Sequence, residues 1–228
     1  MNGSLGRRML AEGVGAAFLL IGIVGSGIVA TRLGPDSPAL QLTVNAVVTG
    51  AVLAAMILVF APLSGAHFNP AVTMMVRMTG RITNRDAMGY VSAQVIGAIA
   101  GAVLANLMFA LPAIELSTTV RGGIGVGIGE FVATVGLILV IGGFVRSGAH
   151  PGVIAAAVGT FITAAILSTS SASFANPAVT LARMLSDTFA GIAPRSVPVF
   201  LVAELVAAFA AVGLLGVLFP VREGVRDG

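Results

Sequence analysis

The chain has 228 residues, 57% of them hydrophobic and 9% charged, with a mean hydropathy of +1.05. A soluble domain carries about 25% charged residues, so this deficit excludes an ordinary water-soluble fold and places most of the chain in lipid. With no Cys and a net charge of +3 spread over scattered Arg residues, disulfides, thiolate metal sites, a Cys nucleophile and a nucleic-acid-binding face are also excluded.

A short polar start, MNGSLGRRM, precedes an apolar run to about Ala30. That run exceeds the ~7–15 residues of a signal-peptide core and is followed by equally apolar chain, so it reads as a membrane span. Six spans are predicted, at about 9–31, 41–62, 87–110, 125–146, 151–169 and 197–219. Each is close to the ~20 residues that cross a ~30 Å hydrocarbon core. Two apolar segments, near 70–79 and 177–186, reach only half-way across.

With the N-terminus inside, Arg7, Arg8, Arg77, Arg81, Arg85, Arg146, Arg222 and Arg226 fall on the cytoplasmic side. Arg32, Arg121, Arg183 and Arg195 fall outside. Eight against four predicts a multi-pass protein of the inner (plasma) membrane with both termini cytoplasmic.

The order span, span, half-span, span occurs twice, over about 9–110 and 125–219. The first span of each half has an early Glu, Glu12 in AEGVGAAFLL and Glu130 in GEFVATVGLI. The third has Gln94 in AQVIGAIAGA and Glu204 in AELVAAFAAV, and the half-spans carry SGAHFNPAVT and SASFANPAVT. Three full spans invert the second half, which puts a site at the mid-plane between the halves. The fold class is therefore an all-α membrane protein, six transmembrane helices plus two re-entrant half-helices, as one domain over 1–228.

Asn before Pro starts a helix well, because Asn caps with its side-chain oxygen and Pro at the first position gives up only an unpaired N–H. Asn69-Pro70-Ala71 and Asn176-Pro177-Ala178 thus read as two helix starts inside the membrane, where irregular backbone survives only if it is buried in protein or lines a wet cavity. Two positive helix ends facing one place resist cations, and each Asn keeps an amide to donate to a passing oxygen. One such triplet alone is more often a plain cap; two in matching places point to a narrow path for neutral solutes.

These motifs, with His67 to Pro70 and both early Glu residues, resemble the aquaporin-type channels of the major intrinsic protein family over essentially the whole chain. The resemblance implies a homotetramer with a pore in each protomer, with small neutral solutes and the lipid bilayer as partners. It also implies an outer selectivity filter whose Arg follows the second Asn-Pro-Ala. Val179 stands there instead, and family spacing puts the other filter positions at Thr49, Ala164 and Ser173, all small. The Asp that follows the filter Arg in glycerol channels is Thr180.

Arg183, seven residues past Asn176, is expected as a solvated charge at the outer mouth; the alternative is that it reaches back and partly restores the filter. Glu12 and Glu130 are expected to accept bonds from the re-entrant backbone, since an isolated charge in a span costs at least ~2.5 kcal/mol. Their alternative role is a proton relay. His67 is expected as a hydrogen-bonded residue beside the inner pore, with a pH gate as the alternative, and Gly97 and Gly101 as close helix contacts.

His67 and His150 make no metal site, no cofactor is implied, and no nucleophile–base–metal set suggests an enzyme. The function expected is a passive channel for small uncharged solutes, with a metalloid hydroxide such as arsenite a good candidate by analogy to arsenic-resistance-associated relatives. The alternatives are a channel mainly for water or small polyols and a coupled secondary transporter.

Overall fold

Helices dominate the described part of the chain, residues 3–220 of a computed structural model. In order they are α1 (Leu5–Leu33), α2 (Pro38–Ser64), α3 (Pro70–Met78), α4 (Asn84–Met108), α5 (Ile124–Arg146), α6 (Pro151–Ser168), α7 (Pro177–Ala182) and α8 (Val197–Leu218). There is no strand among the described residues. All but α3 and α7 are long and apolar enough to cross a membrane, and the chain is a multi-pass membrane protein. Arg222 and Arg226, assigned above to the cytoplasmic side, lie outside the described residues.

The long helices match the expected spans and extend past them where capping allows. Ser4 caps α1 through the N–H of Arg7, and Thr83 caps α4 through that of Asp86 at 3.1 Å. Asp86 also pairs with Arg8 at 3.2 Å, tying the polar starts of α1 and α4 together. At the opposite end of α5, Arg146 donates to the carbonyls of Leu215 and Phe219, which closes the last turn of α8. The second half-helix is shorter than expected. It stops at Ala182 and tightens into a 3₁₀ turn, Arg183–Leu185.

The inverted repeat is visible in the packing. α1 packs on α2 and α4 as α5 packs on α6 and α8, and α3 packs on α4 as α7 packs on α8. α2 against α6 forms the seam between the halves. Small residues set these crossings: a methyl group at Gly97 would fall on the carbonyl oxygen of Gly13, and one at Gly101 on that of Ala17. At the seam, Gly50 and Gly159 face each other's carbonyls, and Thr163 Oγ1 donates to Gly159 O at 3.0 Å. Outward positions such as Val47, Ile96, Val132, Val202 and Phe209 are apolar and more than half exposed, as a lipid-facing surface requires.

Candidate functional site

Between α2 and α3, and again between α6 and α7, the chain turns back inside the bundle. Gly65, Ala66 and Phe68 have left-handed backbone, and so do Ala172, Ser173 and Ala175 at matching distances before the second Asn. Such φ values cost non-glycine residues of order 1–3 kcal/mol each, so the loops must be held from outside.

Carboxylates hold them. Glu12 accepts from the backbone N–H of His67 at 3.0 Å and Phe68 at 2.6 Å, and from Ser64 Oγ at 2.6 Å. Gln94 Nε2 donates to the same carboxylate at 2.8 Å. In the second half Glu130 accepts from the N–H groups of Phe174 (3.1 Å) and Ala175. Glu204 stands where Gln94 stands, and its Oε1 accepts from the N–H of Asn176 at 3.0 Å and from Thr180 Oγ1 at 2.7 Å. Every charge expected in a span is thus spent on backbone that the helices cannot satisfy. Thr180, at the place of the glycerol-channel Asp, is fully buried in this support.

Asn69 Oδ1 accepts from Ala71 N at 2.8 Å and Asn176 Oδ1 from Ala178 N at 3.0 Å, the caps expected of both motifs. The amides do something sequence reasoning missed. Asn69 Nδ2 donates across the mid-plane to the carbonyl of Ala175 at 2.7 Å, and Asn176 Nδ2 to that of Phe68 at 2.9 Å. One N–H of each amide is therefore committed to the opposite half, leaving one for a solute.

His67 Nδ1 lies 3.1 Å from Thr73 Oγ1, which accepts from Gln94 Nε2 at 2.9 Å. Thr73 is fully buried and its hydroxyl proton needs an acceptor, which assigns Nδ1 as that acceptor and puts the ring proton on Nε2. His150 instead caps α6 through Gly152 N.

Two contiguous cavities run along the bundle axis. A vestibule of about 280 Å³ opens at the end where α1 begins, with His67, Arg81 and Arg146 on its wall. It leads into a narrow cavity of about 50 Å³ reaching Thr49, Phe174 and Val179 at the other, distal end. The narrow part has room for a short file of water-sized molecules. Its walls are mostly apolar and related by the repeat: Leu19 with Leu137, Ile23 with Ile141, Leu53 with Ile162. His67, Asn69 and Asn176 are its polar positions besides Thr49. Thr49 Oγ1 is buried with no hydrogen-bond partner among the described residues.

Of the four expected filter positions, Thr49 and Val179 line this cavity and two do not. Ala164 is exposed on the outer side of α6, and Ile162 faces the cavity instead. Span 5 offers no landmark, and a two-residue miscount rotates a helix by about 200°. Ser173 is buried with a partnerless hydroxyl, but the wall is the ring of its neighbour Phe174. The only signal for Phe174 was an aromatic residue two places before Asn176.

Arg183 is not solvated, contrary to expectation: it is 5% exposed, because the 3₁₀ turn redirects it into the bundle. Its guanidinium lies 3.5 Å from the centroid of the Phe174 ring, and its Nε donates to the carbonyl of Ala190. Arg121, from the loop before α5, reaches the same ring at 5.4 Å and donates to the carbonyls of Gly191 and Phe189, each at 2.9 Å. Burial lowers the Arg121 pKa from its usual value.

Residues 2–170 match the family model described as Major intrinsic protein. The chain is 46% identical over 224 residues to Aquaglyceroporin AqpS of Rhizobium meliloti (strain 1021), covering 98% of this chain and 95% of the relative. It is 30% identical over 250 residues to the Probable aquaporin AqpM of Archaeoglobus fulgidus, covering 96% and 99%. Among solved structures it resembles the aquaglyceroporin from Plasmodium falciparum with a TM-score of 0.74 at 22% identity, covering 95% of this chain and 98% of that one.

Proposed function

The chain belongs to the major intrinsic protein family, whose members are channels and not enzymes, and on that premise we propose a passive channel for small uncharged solutes wider than water. Water, small polyols and metalloid hydroxides such as arsenite are the solutes proposed. The observation that carries this is Val179: the position after the second Asn-Pro-Ala, buried at the end of the narrow cavity, holds a short apolar side chain. With Thr49 it gives this end of the cavity two small side chains where a long one would reduce the width.

The chemistry suits neutral, oxygen-bearing solutes. The mostly apolar walls hold such solutes only weakly, and the spare N–H of Asn69 and Asn176 and the Nε2–H of His67 supply successive donors along the path. Two helix starts meeting at the mid-plane oppose cations. We further propose a homotetramer with one pore in each protomer, in the plasma membrane, with cytoplasmic termini. The similarity to a relative named as an aquaglyceroporin supports the wider solute range.

Stopped-flow volume changes of proteoliposomes with water, glycerol, urea and arsenite, with and without a proton gradient, test this. Flux of glycerol and arsenite down their gradients, unaffected by the proton gradient, is expected. Conduction of water alone would favour a water channel, and accumulation above equilibrium would make the protein a coupled transporter.

A further inference from the structure

We propose that Arg183 is the charge-selective element of the distal constriction, presenting its terminal N–H groups to the solute from beside Phe174. The proposal rests on the channel reading above and separates two properties usually joined in one side chain. Val179 sets the width, and Arg183, one residue past the end of α7, sets the charge.

Phe174 walls the narrow cavity together with Val179 and Thr49, and the Arg183 guanidinium sits 3.5 Å from its ring centroid. A guanidinium has five N–H donors, of which the Nε–H is taken by the carbonyl of Ala190. Among the described residues no protein acceptor takes the four on the terminal nitrogens, yet these nitrogens are not among the sealed, partnerless atoms of the interior. They therefore keep a little accessible surface beside the Phe174 ring that lines the cavity, and an oxygen of a passing solute is the acceptor that fits them.

Among the described residues no carboxylate forms an ion pair with Arg183; Glu130 lies close enough to attract it but is committed to the N–H groups of Phe174 and Ala175, and Asp187 to Thr118. The second cation over the ring, Arg121, has its Nε–H and one terminal nitrogen on two loop carbonyls, so it braces the loop and adds to the repulsion. A 5% exposed guanidinium without a direct ion-pair partner is costly in a folded protein. A cation arriving at Phe174 meets this field in a cavity with little water to screen it, whereas a neutral hydroxyl meets hydrogen-bond donors.

Proteoliposomes containing the wild type, Arg183→Gln, Arg183→Lys or Arg183→Met test it, with methylammonium uptake measured against water flux in each. Arg183→Gln should raise that ratio roughly tenfold, while Arg183→Lys keeps it within about twofold of the wild type. Arg183→Met keeps a side chain that packs on Phe174 and carries no charge, so it should leak like Arg183→Gln and serves if the latter does not fold. An unchanged ratio in the neutral variants, or an equal leak from Arg183→Lys, overturns the proposal. Glycerol flux in the wild type is read separately: its absence would sink the wide-channel reading while leaving the cation-to-water ratio to decide the role of Arg183.

Discussion

The amide nitrogen of Asn176 donates to the carbonyl oxygen of Phe68 at 2.9 Å, so the cap of one half-helix is bonded to the loop that precedes the other. Asn69 makes the reciprocal bond to Ala175. The two motifs are therefore a joint between the inverted halves as well as the polar centre of the pore.

Replacing either Asn with Leu should loosen that joint. The substitution loses a helix cap worth ~1 kcal/mol and leaves a buried carbonyl unpaired at a cost of about 1–3 kcal/mol. Both variants should unfold at lower temperature in detergent, by similar amounts. A drop in only one of them would show that the tie is not reciprocal.

Glu204 and Glu130 invite an asymmetric prediction. Glu204 occupies the place of Gln94, its Oε2 has no hydrogen-bond donor among the described residues, and it lies beside Glu130. In Glu204→Gln the amide oxygen would keep the bonds to Asn176 and Thr180, and its NH₂ would donate to Glu130 as Gln94 does to Glu12. Unchanged or raised thermal stability with retained glycerol flux is expected. Glu130→Gln should instead weaken the support of Phe174 and of the left-handed Ala175 and lower the melting temperature.

Val179→Arg should narrow the distal end. Flux of glycerol or urea should fall about tenfold more than flux of water, equivalent to ~1.4 kcal/mol of added barrier. Parallel swelling measurements on the wild type and the variant check this, and equal losses for both solutes would place Val179 away from the limiting radius.

Gly50→Leu or Gly159→Leu should disrupt the α2–α6 seam, because each Cβ would meet a facing carbonyl. Overpacking costs typically 1–3 kcal/mol, more when the neighbour is backbone that cannot turn aside. Poor yield or a lowered melting temperature is expected. At Gly216, where nothing lies within 4 Å of an added Cβ, the same change should be tolerated.

Much of the molecule was legible because the constraints are local. A bilayer admits only long apolar helices, and Asn-Pro inside one demands a cap and a reason. The spans, the two re-entrant breaks and the carboxylate support by Glu12 and Glu130 follow from these rules. Ala164 was misplaced because a featureless helix carries no mark of its rotation. Ser173 was named from family spacing, and spacing along a left-handed loop does not say which side chain turns inward.

The sequence by itself determined the architecture: six crossings, two half-crossings, an inverted repeat and paired caps at the mid-plane, since each follows from solvation of the backbone in lipid. Only the tertiary structure decided what meets the solute. The cross-bonds of the two asparagines, the ring of Phe174 on the wall and the burial of Arg183 beside it depend on how far each helix is rotated. They also depend on where the 3₁₀ turn after α7 sends a long side chain, and those are properties of the packed bundle.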